Sequence, residues 1–397
     1  MTHWQSQLFK NDAPPDAPII QALATAQAIR AVNPSLFPLF TLAHLAHEAD
    51  VPYKFLRSIA SRVNETEHYR VFKIQKRAPG VEKQYRWIAA PHPLLLKTQR
   101  WINQNILKKL TVSDAAFAYV KDGSAYKAAA VHSRSKWLMK VDIANFFESI
   151  LETRVYEVFH AAGYQPLLSF ELSRICTRIA NSEMEKAKRR DGSIRAKTKG
   201  TGYPISAYAS HFLGHLPQGA PTSPMLANLV AKDIDAEISD LANKHDLRYS
   251  RYSDDIVLSS KSKDFGKAGA AKVIGELYAI LRRAGFEPNR GKTKVSGPGS
   301  RMIALGLLVD GNELRLTSEF KDKLKMHLYW CRKNGPQEHA LARKFESIMG
   351  LKNHLLGLIS YAGMVDSKFA DRCRAELNSC SWPLFSPLDL DSIDWEA

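Results

Sequence analysis

Three aspartates stand where apolar strand patterns end, and they restrict the fold more than any other feature of the chain. Trp137-Leu-Met-Lys-Val-Asp142 is an apolar run that closes on a carboxylate. Arg251-Tyr-Ser-Asp-Asp-Ile-Val-Leu258 holds Asp254 and Asp255 between two apolar segments. The first run reads as a buried strand from Trp137 to Ile143, and residues 247–260 read as a hairpin. A tight turn is one reading of the Asp-Asp pair, because aspartate favours turns. Carboxylates beside buried strands, however, cost free energy unless cations neutralise them. Two adjacent carboxylates and a third from a neighbouring strand make a hard-oxygen site. Such a site suits two Mg²⁺ ions roughly 3.5–4 Å apart and in-line displacement at phosphorus.

The charge balance agrees with a phosphate-rich partner. The 397 residues include 56 Lys and Arg against 40 Asp and Glu, a formal charge of +16. A chain this basic attracts RNA, DNA or acidic membranes. The most basic stretch, residues 186–199, carries Lys186, Lys188, Arg189, Arg190, Arg195, Lys197 and Lys199, and it reads either as a solvated face or as a phosphate contact. Residues 386–397 form an acidic tail with Asp389, Asp391, Asp394 and Glu396 and no Lys or Arg.

An apolar content of 45% supports packed cores. No apolar run is long enough to span a bilayer, and the N-terminus lacks the pattern of a secretory signal. Cys176, Cys331, Cys373 and Cys380 form no CxxC pair, so reduced thiols and a cytoplasmic location are expected. His44 with His47, and His211 with His215, have helical spacings and read as ordinary helix residues rather than zinc ligands.

The periodicity assigns the remaining elements. Residues 11–18 read as a proline-rich loop, and residues 35–62 as two short helices broken near Pro52. Residues 69–90 alternate as strands around a turn at Pro79-Gly80, and residues 93–110 are helical. A helix is expected from Phe146 onward. Residues 224–243 and 267–285 read as helices, residues 305–316 as a hairpin around Asp310-Gly311, and residues 318–381 as helices. Leu216-Pro-Gln-Gly-Ala-Pro-Thr-Ser-Pro224 is a loop that opens a helix, where backbone N–H groups suit phosphate or sugar. Ser223 reads as the helix cap and Pro224 as its first residue.

Three ordered sets now carry a family resemblance. Asp142 with Phe146-Phe147, then Gln218-Gly219 with Ser223-Pro224, then Tyr252-Ser-Asp-Asp255 resemble motifs A, B and C of reverse transcriptases. Upstream, Tyr69-Arg-Val-Phe-Lys-Ile-Gln-Lys-Arg77, Arg86-Trp-Ile88 and the stretch from Pro91 to Ile102 are similar to the fingers of retron and group II intron enzymes. Downstream, Gly285 to Val295 is similar to motif D, and the likeness covers about residues 36–365. The compact length resembles the retron branch. The stretch Ala128-Ala-Ala-Val-His132 keeps the Ala and His of that branch's motif without its Asn. Ala304-Leu-Gly306 keeps only a Gly, and Ser253 stands where Ala is more common. The chain after Leu316 accommodates a helical thumb but not the DNA-binding and zinc-endonuclease regions of maturases. Another defence-associated or group II intron-like reverse transcriptase is the neighbouring alternative. A non-catalytic RNA-binding protein with a polymerase fold is another.

The resemblance implies an α+β right-hand polymerase with fingers, a palm built on an antiparallel sheet, and an α-helical thumb. It divides the chain into an extension (1–34), fingers (35–135), palm with motif A (136–160), a fingers or basic insertion (161–214), palm (215–316), thumb (317–385) and tail (386–397). It implies that Asp142, Asp254, Asp255 and the carbonyl of Ile143 hold two Mg²⁺ ions, with Mn²⁺ a possible substitute. Phe147 would lie beneath the incoming sugar, with Phe146 in the core. Arg86 would grip the triphosphate, Gln218 and Gly219 would line the nucleotide or template, and Lys292 would protonate pyrophosphate. Tyr252, Ser223 and Pro224 would lie along primer and template. His132 reads as a hydrogen-bonded palm histidine. Lys321, Lys323, Lys325, Arg332, Lys333, Arg343, Lys344 and Lys352, interleaved with Phe320, Tyr329, Trp330 and Phe345, would cradle an RNA duplex. The implied partners are a structured non-coding RNA, its cDNA, dNTPs and an effector protein, with no membrane. If Phe147 excludes a 2′-hydroxyl, Phe147→Ala raises ribonucleotide incorporation in a primer-extension assay; unchanged sugar discrimination would overturn the assignment.

Overall fold

The computed structural model describes residues 17–75, 85–179, 208–210 and 212–382. The basic stretch at 186–199, the turn at Pro79-Gly80 and the acidic tail lie outside the described residues. Helix α1 spans Ala17–Val32, so Ala17 and Pro18, read as loop, open a helix instead. Proline is tolerated there because the first turn needs no N–H donor. Helices α2 (Leu42–Glu48) and α3 (Tyr53–Ala60) follow, with the Thr41 hydroxyl capping α2 by accepting from the His44 N–H at 3.1 Å. Leu36 and Leu39 precede α2 in an irregular segment and are fully buried there. Strands β1 (Tyr69–Gln75) and β2 (Tyr85–Pro91) pair antiparallel, with Phe72 opposite Ile88 and Ile74 opposite Arg86.

After α4 (Pro93–Asn105) and α5 (Ala125–Ala130) comes the central strand β3 (Trp137–Ala144). The helix expected from Phe146 does not start there. Residues 145–149 are turns, Asn145 has φ +49°, and α6 runs over Glu152–Ala161. A left-handed residue interrupts helical geometry at that point. Helix α7 is Pro166–Cys176. His215 is not helical. Its backbone bridges Arg178 and Leu151, while His211 lies outside the described residues. The helical region 224–243 is two helices, α8 (Ser223–Val230) and α9 (Lys232–Lys244).

The hairpin is β4 (Arg248–Tyr252) and β5 (Asp255–Ser260), followed by α10 (Gly266–Arg283), β6 (Glu287–Pro288) and β7 (Lys294–Ser296). These strands form a five-stranded sheet in the order β4-β5-β3-β6, with β7 also paired to β3. Strand β3 is antiparallel to β5, since the Ile143 N–H donates to Asp254 and the Lys136 N–H to Ser260. Beyond Met139 the burial of β3 alternates: Val141 and Ile143 are buried, while Lys140, Asp142 and Ala144 face the more open side. Strands β8 (Ile303–Ala304), β9 (Leu307–Leu308) and β10 (Arg315–Leu316) form a three-stranded sheet rather than a single hairpin. The last described elements are α11 (Ser318–Asn334), α12 (Pro336–Ala342), α13 (Ile348–Gly363) and α14 (Ser367–Asn378). The α+β expectation is met.

The chain forms two compact units. The first comprises residues 1–123, 139–258 and 268–294. Within it a buried polar cluster ties distant segments together: Arg62 pairs with Glu65 at 3.0 Å and Glu152 at 2.6 Å, and donates to the Thr177 carbonyl at 2.8 Å. Glu152 also accepts from the Gly214 N–H at 2.9 Å. Buried charges persist when paired and hydrogen-bonded in this way.

The second unit comprises residues 124–138, 259–267 and 295–397. Thr317, Ser347 and Asp366 cap three of its helices, each accepting from a backbone N–H three residues on. His327 and His339 are buried and share a ring-nitrogen hydrogen bond of 2.9 Å, with the His354 ring centroid 6.0 Å from that of His327. Burial, and then the neighbouring His339, His354, Arg343 and Lys323, push the His327 pKa down to about 4. The unfolded imidazole protonates near its ordinary 6.5, so it takes up a proton that the folded ring refuses. The unit therefore loses stability as pH falls from about 6.5 towards 4. Circular-dichroism melts over that range should show a smaller loss for His327→Leu than for the wild type.

Candidate active site

The sheet brings the three aspartates together at one end. The turn Ser253-Asp254 joins β4 to β5 and leads directly into Asp255, and Ser253 has φ +60°. The Asp254 carbonyl accepts from the Ile143 N–H at 3.0 Å, which fixes the turn beside Asp142 on β3. On the other edge the Asp142 carbonyl accepts from the Asn289 N–H at 2.7 Å, and Ile143 lies opposite Pro288. Pro288 has no N–H to offer the Ile143 carbonyl.

Lys292, at the end of the short turn Arg290–Lys292, brings its Nζ within 2.6 Å of Asp142 Oδ1. Asp255 opens to solvent on one side and is crowded on the others. Lost hydration, and then the charges of Asp254 and Asp142, raise its pKa to about 6 against the opposing pull of Lys292 and Lys140. Burial, followed by Lys294, lowers the pKa of Lys140, and Asp255 opposes that shift.

Beneath the turn lies a buried guanidinium that the sequence reading missed. Arg251 is 1% exposed and Asp235, on α9, is 0% exposed. Arg251 Nε and Nη2 each donate to Asp235 at 2.7 Å, and the Tyr249 hydroxyl donates to the same carboxylate at 2.6 Å. The remaining arm, Nη1, donates to Asn228 Oδ1 at 3.0 Å and to the Ser253 carbonyl at 3.1 Å. A bidentate pair is the strong geometry for such a contact. No local pattern marks it, since β4 reads Arg248-Tyr-Ser-Arg-Tyr252 and Arg251 looks like any other polar strand residue.

The other expected residues fall into two groups. Phe146 is core at 2% exposure, whereas Phe147 is half-buried and touches Tyr119, with ring centroids 6.4 Å apart. Gln218 donates to Glu148 Oε1 at 3.0 Å, and its carbonyl accepts from the Ala89 N–H on β2 at 2.7 Å. Gly219 has φ +115°, and a Cβ there would meet the Ala89 carbonyl oxygen at 2.9 Å, so a side chain would push the loop off β2. Arg86 is exposed on β2, on the same strand face as Ile88, whose Cγ2 lies against Gly219. Tyr252 is half-buried at the end of β4.

Ser223 is not the cap of α8. Thr222 flanks the helix, and Ser223 and Pro224 occupy its first two positions, because the chain is already helical at Thr222 with φ −82° and ψ −29°. His132 is fully buried, with Nδ1 2.7 Å from Ser259 Oγ. The four cysteines are buried free thiols.

Among the described residues, no three acidic, histidine or cysteine side chains are already gathered as a metal cage. Asp142 is instead turned to the Lys292 ammonium. The donors nevertheless fit a hard cation. They are all oxygens, and the mutual repulsion that raises the Asp255 pKa is what a bound cation would relieve.

The family described as reverse transcriptase (RNA-dependent DNA polymerase) matches residues 74–309, more than half of the chain and all three aspartates. The chain belongs to the reverse transcriptase family. It is 29% identical over 304 residues to the retron Ec86 reverse transcriptase of Escherichia coli, covering 76% of this chain and 82% of that one. It is 28% identical to the retron Ec83 reverse transcriptase of Escherichia coli, covering 77% and 85%. It is 27% identical to the retron Mx162 reverse transcriptase of Myxococcus xanthus, covering 77% and 59%. A solved structure of telomerase from Candida albicans in complex with a telomeric RNA fragment covers 81% of this chain and 58% of that one. It aligns at 11% identity with a TM-score of 0.41, too loose a match to bear on fold or function. The enzyme is thus an RNA-directed DNA polymerase of a family that works with divalent metal ions. No helix among the described residues is long and apolar enough to cross a membrane.

Removing Asp235 strands a buried charge. Asp235→Ala should cost about 3–5 kcal/mol in urea unfolding, whereas the double replacement Asp235→Leu with Arg251→Met should recover most of that loss. A single variant as stable as the wild type would show that the pair is not a support.

Proposed function

We propose that this enzyme is the reverse transcriptase of a retron. It copies a structured non-coding RNA into single-stranded DNA from dNTPs, primed by a 2′-hydroxyl of the same RNA. The product is a branched, RNA-linked DNA (msDNA) that serves antiphage defence in the cytoplasm together with an effector protein. The observation that carries the reading is the meeting of Asp142, Asp254 and Asp255 at one end of an antiparallel sheet, in a chain whose relatives are retron enzymes.

In this reading Asp142, Asp254, Asp255 and the Ile143 carbonyl hold two Mg²⁺ ions, which Mn²⁺ can replace. Bound there, the ions supply activation of the primer hydroxyl and neutralisation of the leaving pyrophosphate. The chain's own residues do the rest. The bond from Ile143 to Asp254 and the Arg251 arm hold the carboxylates in register, so little rearrangement accompanies the reaction. Phe147 lies beneath the sugar and disfavours a 2′-hydroxyl. Arg86 grips the triphosphate with several donors. Gln218, oriented by Glu148, and Gly219, held close to β2, line the nucleotide and template. Tyr252, Ser223 and Pro224 face primer and template. Lys292, paired with Asp142, donates the proton with which pyrophosphate leaves. The basic helices α11 to α13 hold the RNA duplex through its backbone.

Purified protein with its co-purifying RNA, dNTPs and Mg²⁺ should yield a cDNA of fixed sequence covalently linked to RNA, and Asp254→Asn should yield none. A homopolymer would overturn the retron assignment. The absence of synthesis on any primed RNA would overturn polymerase activity.

A further inference from the structure

One exposed aromatic has more anchoring than packing requires. The segment before Tyr119 is clamped to the strand that leads into the carboxylate turn. The Arg251 N–H donates to the Ala115 carbonyl at 2.7 Å, and the Phe117 N–H donates to the Arg251 carbonyl at 2.9 Å. Asn228 Nδ2 donates to the Ala118 carbonyl at 2.7 Å. The next residue, Tyr119, has φ +64°, an unfavourable backbone for a bulky side chain. Held there, its hydroxyl donates to Ser253 Oγ at 3.1 Å, and its ring lies 6.4 Å from that of Phe147. Ser253 itself has φ +60°. The tyrosine side chain nevertheless remains 48% exposed. Strained residues persist where surrounding bonds over-determine them, and they gather at working sites. An aromatic needed only for packing would be buried in relaxed backbone.

We propose that Tyr119 is a positioning residue for nucleotide selection. It fixes the Phe147 ring relative to the Asp254-Asp255 turn, so that sugar discrimination and the carboxylates share one reference point. The inference rests on the reading above, in which the chain is a polymerase with Phe147 beneath the sugar. Ser253 gives the tie its chemistry, because an alanine in that position offers no acceptor to the hydroxyl.

The test measures kcat/KM for dNTPs and rNTPs on a primed RNA template, with melting curves to check folding. Tyr119→Leu should relax the dNTP-to-rNTP ratio about tenfold, within the coupling range of touching side chains. In a Phe147→Ala background the same substitution should change the ratio no further. Tyr119→Phe and Ser253→Ala should each lower dNTP kcat/KM about threefold, the scale of one hydrogen bond, and together no more than either alone. A merely structural role would slow both nucleotides equally, and an unchanged ratio in folded Tyr119→Leu overturns the proposal. Should that variant not fold, independent losses in Tyr119→Phe and Ser253→Ala overturn it instead. A wild type that extends no primer overturns the polymerase reading itself; one that extends and selects dNTPs normally with Tyr119→Leu overturns only the role of Tyr119.

Discussion

A buried guanidinium supports the turn that carries the carboxylates. Three carboxylates near one another repel, and a two-residue turn between strands would relieve that repulsion by moving unless something held it. Arg251 holds it from below through the Ser253 carbonyl, and Asp235 makes the buried arginine tolerable. The same arginine's backbone carries the segment that presents Tyr119, and Asn228 links it to helix α8. Arg251 thus ties the turn, the neighbouring segment and helix α8 to one buried point.

The charges at the surface of the site oppose those below it. The carboxylates meet at the open end of the sheet, where Asp255 is reluctant to ionise and Asp142 borrows the ammonium of Lys292. In a chain of net charge +16 this is a local negative site, whose repulsion a cation would relieve. The overall positive charge suits a nucleic-acid partner, and the metal ions proposed above would stand at the acidic end.

Much of the fold was legible because β3 and β5 are short apolar runs bounded by turn residues and polar ends. The carboxylates were legible because charge in an apolar strand is costly and therefore informative. The errors came where residue type or spacing was read without the backbone. Phe146 and Phe147 looked like a helix start, but Asn145 takes a left-handed conformation and the chain turns first. His215 had helical spacing from His211, yet its backbone pairs with Arg178. Ser223 looked like a cap, but the helix begins one residue earlier. Spacing reports which residues share a face only once the backbone geometry is known.

By itself, the sequence determined the chemical inventory and its order: Asp142, the Gln218-Gly219 loop, Asp254-Asp255 and Lys292, with apolar runs to carry them. Those features are local, because strand period, turn residues and unpaired charge can be read within a few residues. Only the tertiary structure decided that Arg251 and Asp235 pair beneath the turn, that Glu148 orients Gln218, and that Tyr119 reaches Ser253 and Phe147. Each of those partnerships depends on the direction in which a side chain leaves a folded backbone, and the Tyr119 link joins residues 134 positions apart, beyond the reach of any local pattern.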